Sequence, residues 1–330
     1  MPAITDVREI ARIGYGFMAS RALFAALDAD VFGHLADGPK SLPTLAHELA
    51  LAPRRLRALL TACVALGLLT RDGDRYANAP ASATYLVRTS PAYFGDYFRF
   101  QVSRQIYPTL LHLDAALRGE RVDFYATLRD PEEARAFTRA QHSGSLGPAH
   151  VVANLVDLDG ARRLLDVAGG SGAFSIVLCQ RAPALAATII DFPTVAAVGR
   201  DLVRDSGLGG RITFLEGDAR EVGWPGGNDL VLMSYLLSAV SESAAHDLLG
   251  KAYKALRAGG RLLVHDFMVD DDESGPPLAA LWLLNAVTID ADVAALTPAW
   301  LSAAARRAGF DDVGITPVVP GTTRLLTARR

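Results

Sequence analysis

The fold class this 330-residue sequence predicts is α/β: a Rossmann-like, doubly wound domain behind an N-terminal, α-helical winged-helix-like domain. Three observations predict it. Up to about residue 90, apolar residues recur at helical spacing in short bursts that end in a hairpin signal. After residue 160 the rhythm changes to short runs rich in Val, Ile and Leu, separated by helical segments, the pattern of a buried parallel sheet with crossovers. The first of those runs feeds a glycine-rich turn. The expected domains are 1–90 and 91–330, the latter made of a helical, ligand-lining segment 91–155 and a Rossmann-like core 156–330.

The elements follow in chain order. "FMASRALFAALDADVFGHL" has helical spacing and stops near the breaker "ADGPK". "SLPTLAHELAL" starts with Ser41 as N-cap and Pro43 in the first turn. "APRRLRALLTACVALGLL" is a third helix, and Asp72-Gly73 then turns the chain between two short extended pieces. Three helices and a hairpin describe a winged helix, and the arginines of "PRRLR" suit a DNA-recognition helix. Against that, "LLTACVALGLL" is apolar on most faces, as a helix buried against a partner would be. "AYFGDYFRFQVSRQIYPTLLHLDAAL" and "PEEARAFTRAQHSGSL" continue as helices rich in aromatics. "ARRLLDVAG", "AATIID", "RITFLEGD", "DLVLMS" and "RLLVHDF" read as strands, with "DDVGITPVV" and "TRLLTARR" as a closing pair.

Composition narrows the class of function. Hydrophobic residues make up 50% and charged residues 21%, which argues against disorder, and a net charge of −3 leaves no overall footprint for nucleic acid. Two cysteines, Cys63 and Cys179, are too few for a disulfide framework or a metal site and fit a reducing cytoplasm. Asp6 and Glu9 interrupt the N-terminus, so no signal peptide is expected, and no apolar run reaches membrane-spanning length.

Chemistry concentrates in "LLDVAGGSGAFSIVL". Asp166 closes the first strand and Gly169, Gly170 and Gly172 form the turn, where glycine permits positive φ and close approach of a ligand to the backbone. A dinucleotide fingerprint needs glycine at 175 as well, and the chain has serine there, which weakens an NAD reading. "TIIDFP" places Asp191 at the next strand end, where it meets two ribose hydroxyls. "FLEGDAR" places Asp218 one strand later, within reach of an adenine amino group. Together these turns point to S-adenosylmethionine (SAM), with Phe192, Ala219 and Ser234 completing the expected cofactor set. The structural alternative for Asp191 or Asp218 is a helix N-cap.

"LLDVAGGSGAFSIVLCQRAPALAATIIDFPTVA" resembles the SAM loop of the class I small-molecule O-methyltransferases typified by plant caffeate and hydroxyindole enzymes. "FTRAQHSGS" is similar to that family's helix over the cofactor, and "GRLLVHDFMVDDDESGPP" to its fifth strand, so the likeness spans nearly the whole chain. It implies a methyltransferase with an N-terminal dimerisation domain, a homodimer with interlocked helices, and a small-molecule acceptor rather than nucleic acid or membrane.

The resemblance also exposes a departure. The family's segment after the fourth strand reads L-H-D-W, and its histidine takes the acceptor's proton. Here "YLLSAV" aligns Ser238 with that histidine, Ala239 with the aspartate and Val240 with the tryptophan. A phenol titrates near ~10 and imidazole near ~6.5, so histidine is a sensible base at neutral pH, whereas a serine hydroxyl only exchanges hydrogen bonds. Three readings follow. The acceptor is a carbon, an amine or an already ionised oxygen, and Ser238 only orients it. Or the base has moved to His265 or His142. Or the chain binds SAM and catalyses a non-methylating reaction. "LLSAVSE" with "GGRLLVHDFMVDD" is similar to the bacteriochlorophyllide C-20 methyltransferase, a carbon-methylating member without that histidine, which favours the first. A SAM-sensing winged-helix regulator is the reading from another class. Tyr235, Tyr97, Phe100, Trp282 and Asn285 are the expected acceptor contacts, with aromatic core packing as the alternative for the rings.

Overall fold

Residues 3–120, 124–289 and 292–330 are described by a computed structural model, in which the chain divides into two compact units, Met1–Gln105 and Ile106–Arg330. The division falls beyond the expected boundary at 90, because the wide-turned π-type helix Tyr97–Ile106 runs up to it.

In the N-terminal unit, the helices Gly16–Asp28, Leu42–Glu48 and Pro53–Ala65 surround a core that includes Leu27, Val31, Phe32, Leu45, Leu56, Leu60 and Cys63. The Ser41 side chain accepts from the Thr44 N–H at 3.4 Å, and Pro43 occupies the first turn, so the second of these helices starts where its cap chemistry places it. Strands β1 (Lys40–Ser41), β2 (Leu69–Asp72) and β3 (Arg75–Asn78) form an antiparallel sheet in the order β1-β3-β2. Asp72 pairs with Arg75, which leaves Gly73 and Asp74 as a two-residue hairpin turn. The two-residue strand β1 had no signal in the sequence.

The unit's apolar surplus lies elsewhere than expected. Leu60 and Cys63 of "LLTACVALGLL" fill this unit's own core. The helix Val7–Gly14, capped by Asp6, buries none of its residues and exposes Val7 (74%), Ile10 (59%) and Ile13 (72%).

The second unit is built on seven strands: β4 (Arg163–Val167), β5 (Ala186–Asp191), β6 (Ile212–Glu216), β7 (Asn228–Ser234), β8 (Leu256–Phe267), β9 (Asp311–Val319) and β10 (Thr323–Arg329), in the order β6-β5-β4-β7-β8-β10-β9. The first five are parallel, and the hairpin β9–β10 closes the sheet antiparallel against β8. Alternate residues feed two cores. Leu164, Ile189, Leu232, Leu263 and Leu325 face the helices Pro131–Leu155 and Ala173–Arg181. Leu165, Val167, Val231, Met233, Val264 and Leu326 face Glu242–Ala255 and Pro298–Arg307. Strand order reverses between β4 and β7, and open α/β sheets bind ligands beyond the carboxyl ends of the strands at that point. Among the described residues no helix is long and apolar enough to cross a membrane.

Candidate active site

The turn after β4 is shaped by an acid it encloses. Asp166 is 1% exposed; its Oδ2 accepts from Ser175 Oγ at 2.6 Å, while Oδ1 is buried with no hydrogen-bond partner. A Cβ on Gly169 would sit 2.5 Å from the Asp166 carboxyl carbon, so glycine there is a packing requirement. Gly170 and Gly172 have left-handed φ of 55° and 76°, and Gly172 leads into the helix Ala173–Arg181. Burial pushes the Asp166 carboxyl up to about 7, against the pull of Ser175 and with added repulsion from Asp191. Ser175, read in the sequence only as a missing glycine, is the partner that holds this acid.

At the end of β5, Asp191 Oδ2 accepts from the Gly170 N–H at 2.7 Å and Oδ1 from the Phe192 N–H at 2.8 Å. Phe192, not Asp191, is the N-cap of the helix Pro193–Asp205, so Asp191 is not spent on capping. Desolvation raises its carboxyl to about 6, although both backbone donors oppose this. Asp218 follows β6 in a turn, not at a helix start, and accepts from the Arg220 N–H at 2.8 Å and from its guanidinium at 2.6 Å. Burial raises the Asp218 carboxyl, but its bonds to Arg220 outweigh this and leave it lowered. The Ala219 carbonyl takes Trp224 Nε1 and Lys251 Nζ, both at 2.8 Å, which pins the turn.

The histidines differ from expectation. His265, on β8, is 0% exposed; its Nδ1 is 2.9 Å from Ser234 Oγ and its Nε2 is 2.9 Å from Thr323 Oγ1. Burial pushes it down to about 3, so it is neutral, enclosed, and has both ring nitrogens engaged. A relocated base needs a nitrogen open to the acceptor, and His265 offers none. His142, on the helix Pro131–Leu155, lies 3.1 Å from Ser171 Oγ of the glycine turn, and burial, then Arg139, lowers its pKa. The structure therefore brings His142 to the glycine turn after β4.

Ser238 lies in the short turn Leu237–Ala239 after β7 and is 7% exposed. Its Oγ donates to Asp266 Oδ1 at 2.6 Å and its N–H to Oδ2 at 3.1 Å. Tyr235, at a left-handed φ of 57°, packs its ring 4.6 Å from His265 and 5.2 Å from Phe267, and Phe267 stacks on Trp282 at 4.2 Å and 19°. Phe174 completes this cluster at 5.3 Å from His265. Asn285 is buried on the same helix as Trp282, Pro277–Val287, which packs on the Leu237–Ala239 turn. Tyr97 and Phe100 are on the helix of the N-terminal unit: Tyr97 packs on Phe94 and Phe98, and Phe100 carries the Arg99 and Arg104 guanidiniums at 5.0 Å. Asp266, Phe267 and Phe174 had not been singled out in the sequence.

Comparison with known proteins matches residues 108–311 to an O-methyltransferase domain and residues 12–88 to an O-methyltransferase dimerisation domain. The 3-hydroxy-5-methyl-1-naphthoate 3-O-methyltransferase of Streptomyces sahachiroi is 36% identical over 82% of this chain and 80% of its own. The L-tyrosine C(3)-methyltransferase of Streptomyces lavendulae is 32% identical over 84% of this chain and 79% of its own. Human N-acetylserotonin methyltransferase, solved in complex with SAM, superimposes with a TM-score of 0.87 at 26% identity, covering 100% of this chain and 99% of that one.

Proposed function

The chain belongs to the SAM-dependent O-methyltransferase family, and from that premise we propose that it methylates a small hydroxylated aromatic, polyketide-like acceptor whose nucleophilic atom is generated without an imidazole base. The observation that carries this reading is the turn after β7. Ser238 there is bonded to Asp266, and the helix that packs on the same turn carries Trp282, which stacks on Phe267 as Phe267 packs on Tyr235. The methylated atom is then a readily ionised hydroxyl oxygen or a ring carbon that such a hydroxyl activates.

SAM, when bound, supplies a methyl group on a positively charged sulfur. The orphaned Asp166 Oδ1 and the open left-handed turn at Gly170 suit such a cofactor. In this reading Asp166, Gly169, Gly170 and Gly172 shape the cofactor turn. Asp191 keeps lone pairs free on both oxygens for ribose hydroxyls, since each takes only one backbone donor. Phe192, Asp218, Ala219 and Ser234 line the remainder. Displacement at a sulfonium joins a cation to a nucleophile, so positioning and dehydration by these walls supply most of the catalysis. His142 holds Ser171 in place, and Asn285 and the aromatic group orient the acceptor. Copies of the chain pair through residues 1–90, where the exposed stripe Val7, Ile10 and Ile13 supplies apolar surface to cover.

Incubation with SAM and a panel of hydroxynaphthoates, followed by mass spectrometry for S-adenosylhomocysteine and NMR location of the new methyl group, tests the reading. Methyl transfer to amines or aliphatic acids alone would overturn it. Cofactor binding with conversion of an acceptor but no S-adenosylhomocysteine would favour the non-methylating alternative.

A further inference from the structure

Asp266 is fully buried and has no part in the steps described so far. It neighbours His265 on β8 and so points to the opposite face of the sheet. Its Oδ1 accepts from Ser238 Oγ at 2.6 Å and from the Phe267 N–H at 2.9 Å, and its Oδ2 accepts from the Ser238 N–H at 3.1 Å. An ionised carboxylate only accepts hydrogen bonds, and a serine hydroxyl has one proton to give. That proton is committed to Asp266, so Ser238 Oγ presents lone pairs alone to a group in front of it. Toward a group placed there it can accept a hydrogen bond while its own proton stays with Asp266.

Among the described residues, the groups facing this carboxylate bring it no competing cation. Arg324 is opposite Asp266 on β10, but its guanidinium pairs with Asp270. His265 projects to the other face and is neutral. At the end of β7 the neighbouring group is Ser234, with Tyr235 just beyond it, and the helix Pro277–Val287 that covers the turn contains no ionisable residue.

We propose that Ser238 and Asp266 form a proton relay that replaces the imidazole. The acceptor's O–H bond breaks as its proton bonds to Ser238 Oγ, and the serine's own proton leaves Oγ for Asp266 Oδ1, so the acceptor oxygen gains the negative charge that the carboxylate loses. After methylated product departs, the proton returns through Ser238 to water. The relay rests on the hydroxyarene reading above and narrows it. Burial pushes the Asp266 carboxyl up to about 6, while hydrogen bonds from Ser238, Phe267 and Leu237 pull it down. Proton transfer to such a group is best matched by a hydroxyl acidified through a conjugated carbonyl, in a phenol or an enol.

The test uses the full-length protein with SAM and two probes of different acidity, 2-naphthol and 1-nitro-2-naphthol, at pH 7.5. With 2-naphthol, which arrives protonated, Asp266→Asn is expected to lose ~10²-fold or more in kcat. With 1-nitro-2-naphthol, which arrives largely ionised, the same variant is expected to stay within about threefold of wild type. The wild-type rate on 2-naphthol also falls as pH drops through about 6, and that limb disappears in the variant. Ser238→Ala removes a single hydroxyl and must show the same dependence on probe acidity, which keeps the test decisive if Asp266→Asn fails to fold. Calorimetric affinity for S-adenosylhomocysteine is expected to be unchanged in both. Equal losses on the two probes, as a purely structural role would give, overturn the relay and leave the hydroxyarene reading standing. Failure of wild type to methylate any hydroxyarene while it binds SAM overturns both.

Discussion

Replacing His265 with leucine separates a buried structural imidazole from a catalytic one. The ring is bracketed by two hydroxyls at 2.9 Å, Ser234 and Thr323, and Thr323 is 1% exposed. Leucine keeps most of the volume but takes one of the Thr323 hydroxyl's two partners, leaving the Val319 N–H that donates to it at 3.3 Å, at a cost of about 0.5–1.5 kcal/mol, while the partly exposed Ser234 turns to water for less. The sum, roughly 0.5–2 kcal/mol, corresponds to a fall in Tm of roughly 1–8 °C for a unit of this size. Adding Thr323→Val should recover nothing, since it also takes the acceptor from the Val319 N–H. Stability should also depend on pH through this residue. His265 titrates at about 3 when folded against 6.5 when unfolded, so the unfolded chain binds more protons between those values. The wild type then loses stability as pH falls below 6.5, by up to about 1.4 kcal/mol per unit, and keeps it in full above. The leucine variant lacks that contribution to the slope. Differential scanning calorimetry from pH 4.5 to 8 reads both effects, and turnover is compared at a temperature where both proteins are folded. Activity within about threefold of wild type is expected, since a residue off the proton path changes little beyond packing. A hundredfold fall in kcat with unchanged Tm and SAM affinity would refute the reasoning and make His265 the base.

Three further outcomes are expected. Asp191→Ala should weaken SAM binding by about 1.5–3 kcal/mol for each lost charge-assisted bond, at least tenfold by isothermal titration, and an unchanged Kd removes Asp191 from the site. Trp282→Ala removes the ring stacked on Phe267 at 4.2 Å and should raise KM for a naphthoate acceptor about three- to tenfold at constant SAM affinity; an unaltered KM places the acceptor elsewhere. Ile10→Glu combined with Ile13→Glu puts two charges on the exposed stripe and should yield a folded monomer by light scattering, whereas an unperturbed dimer would mean that copies pair through another surface.

Some of the protein was legible from local chemistry alone. The closing strand pair "DDVGITPVV" and "TRLLTARR", the hairpin at Gly73, the Ser41 cap and the glycine turn after Asp166 all appear where the sequence predicts them. Each depends on periodicity, φ preference or capping within a few residues, and such preferences act before any distant contact forms. The acids at the ends of β4 and β5 were legible for the same reason. The roles of the polar groups were not. Ser238 meets Asp266 across 28 residues, His142 meets Ser171 across 29, and His265 meets Thr323 across 58. Strand alternation puts His265 and Asp266 on opposite faces but does not say which face is sealed by Thr323 and which lies behind Ser238. Tertiary packing decided that, because burial and hydrogen-bond partners set whether a group can hold a proton, and both are properties of the assembled sheet rather than of any segment.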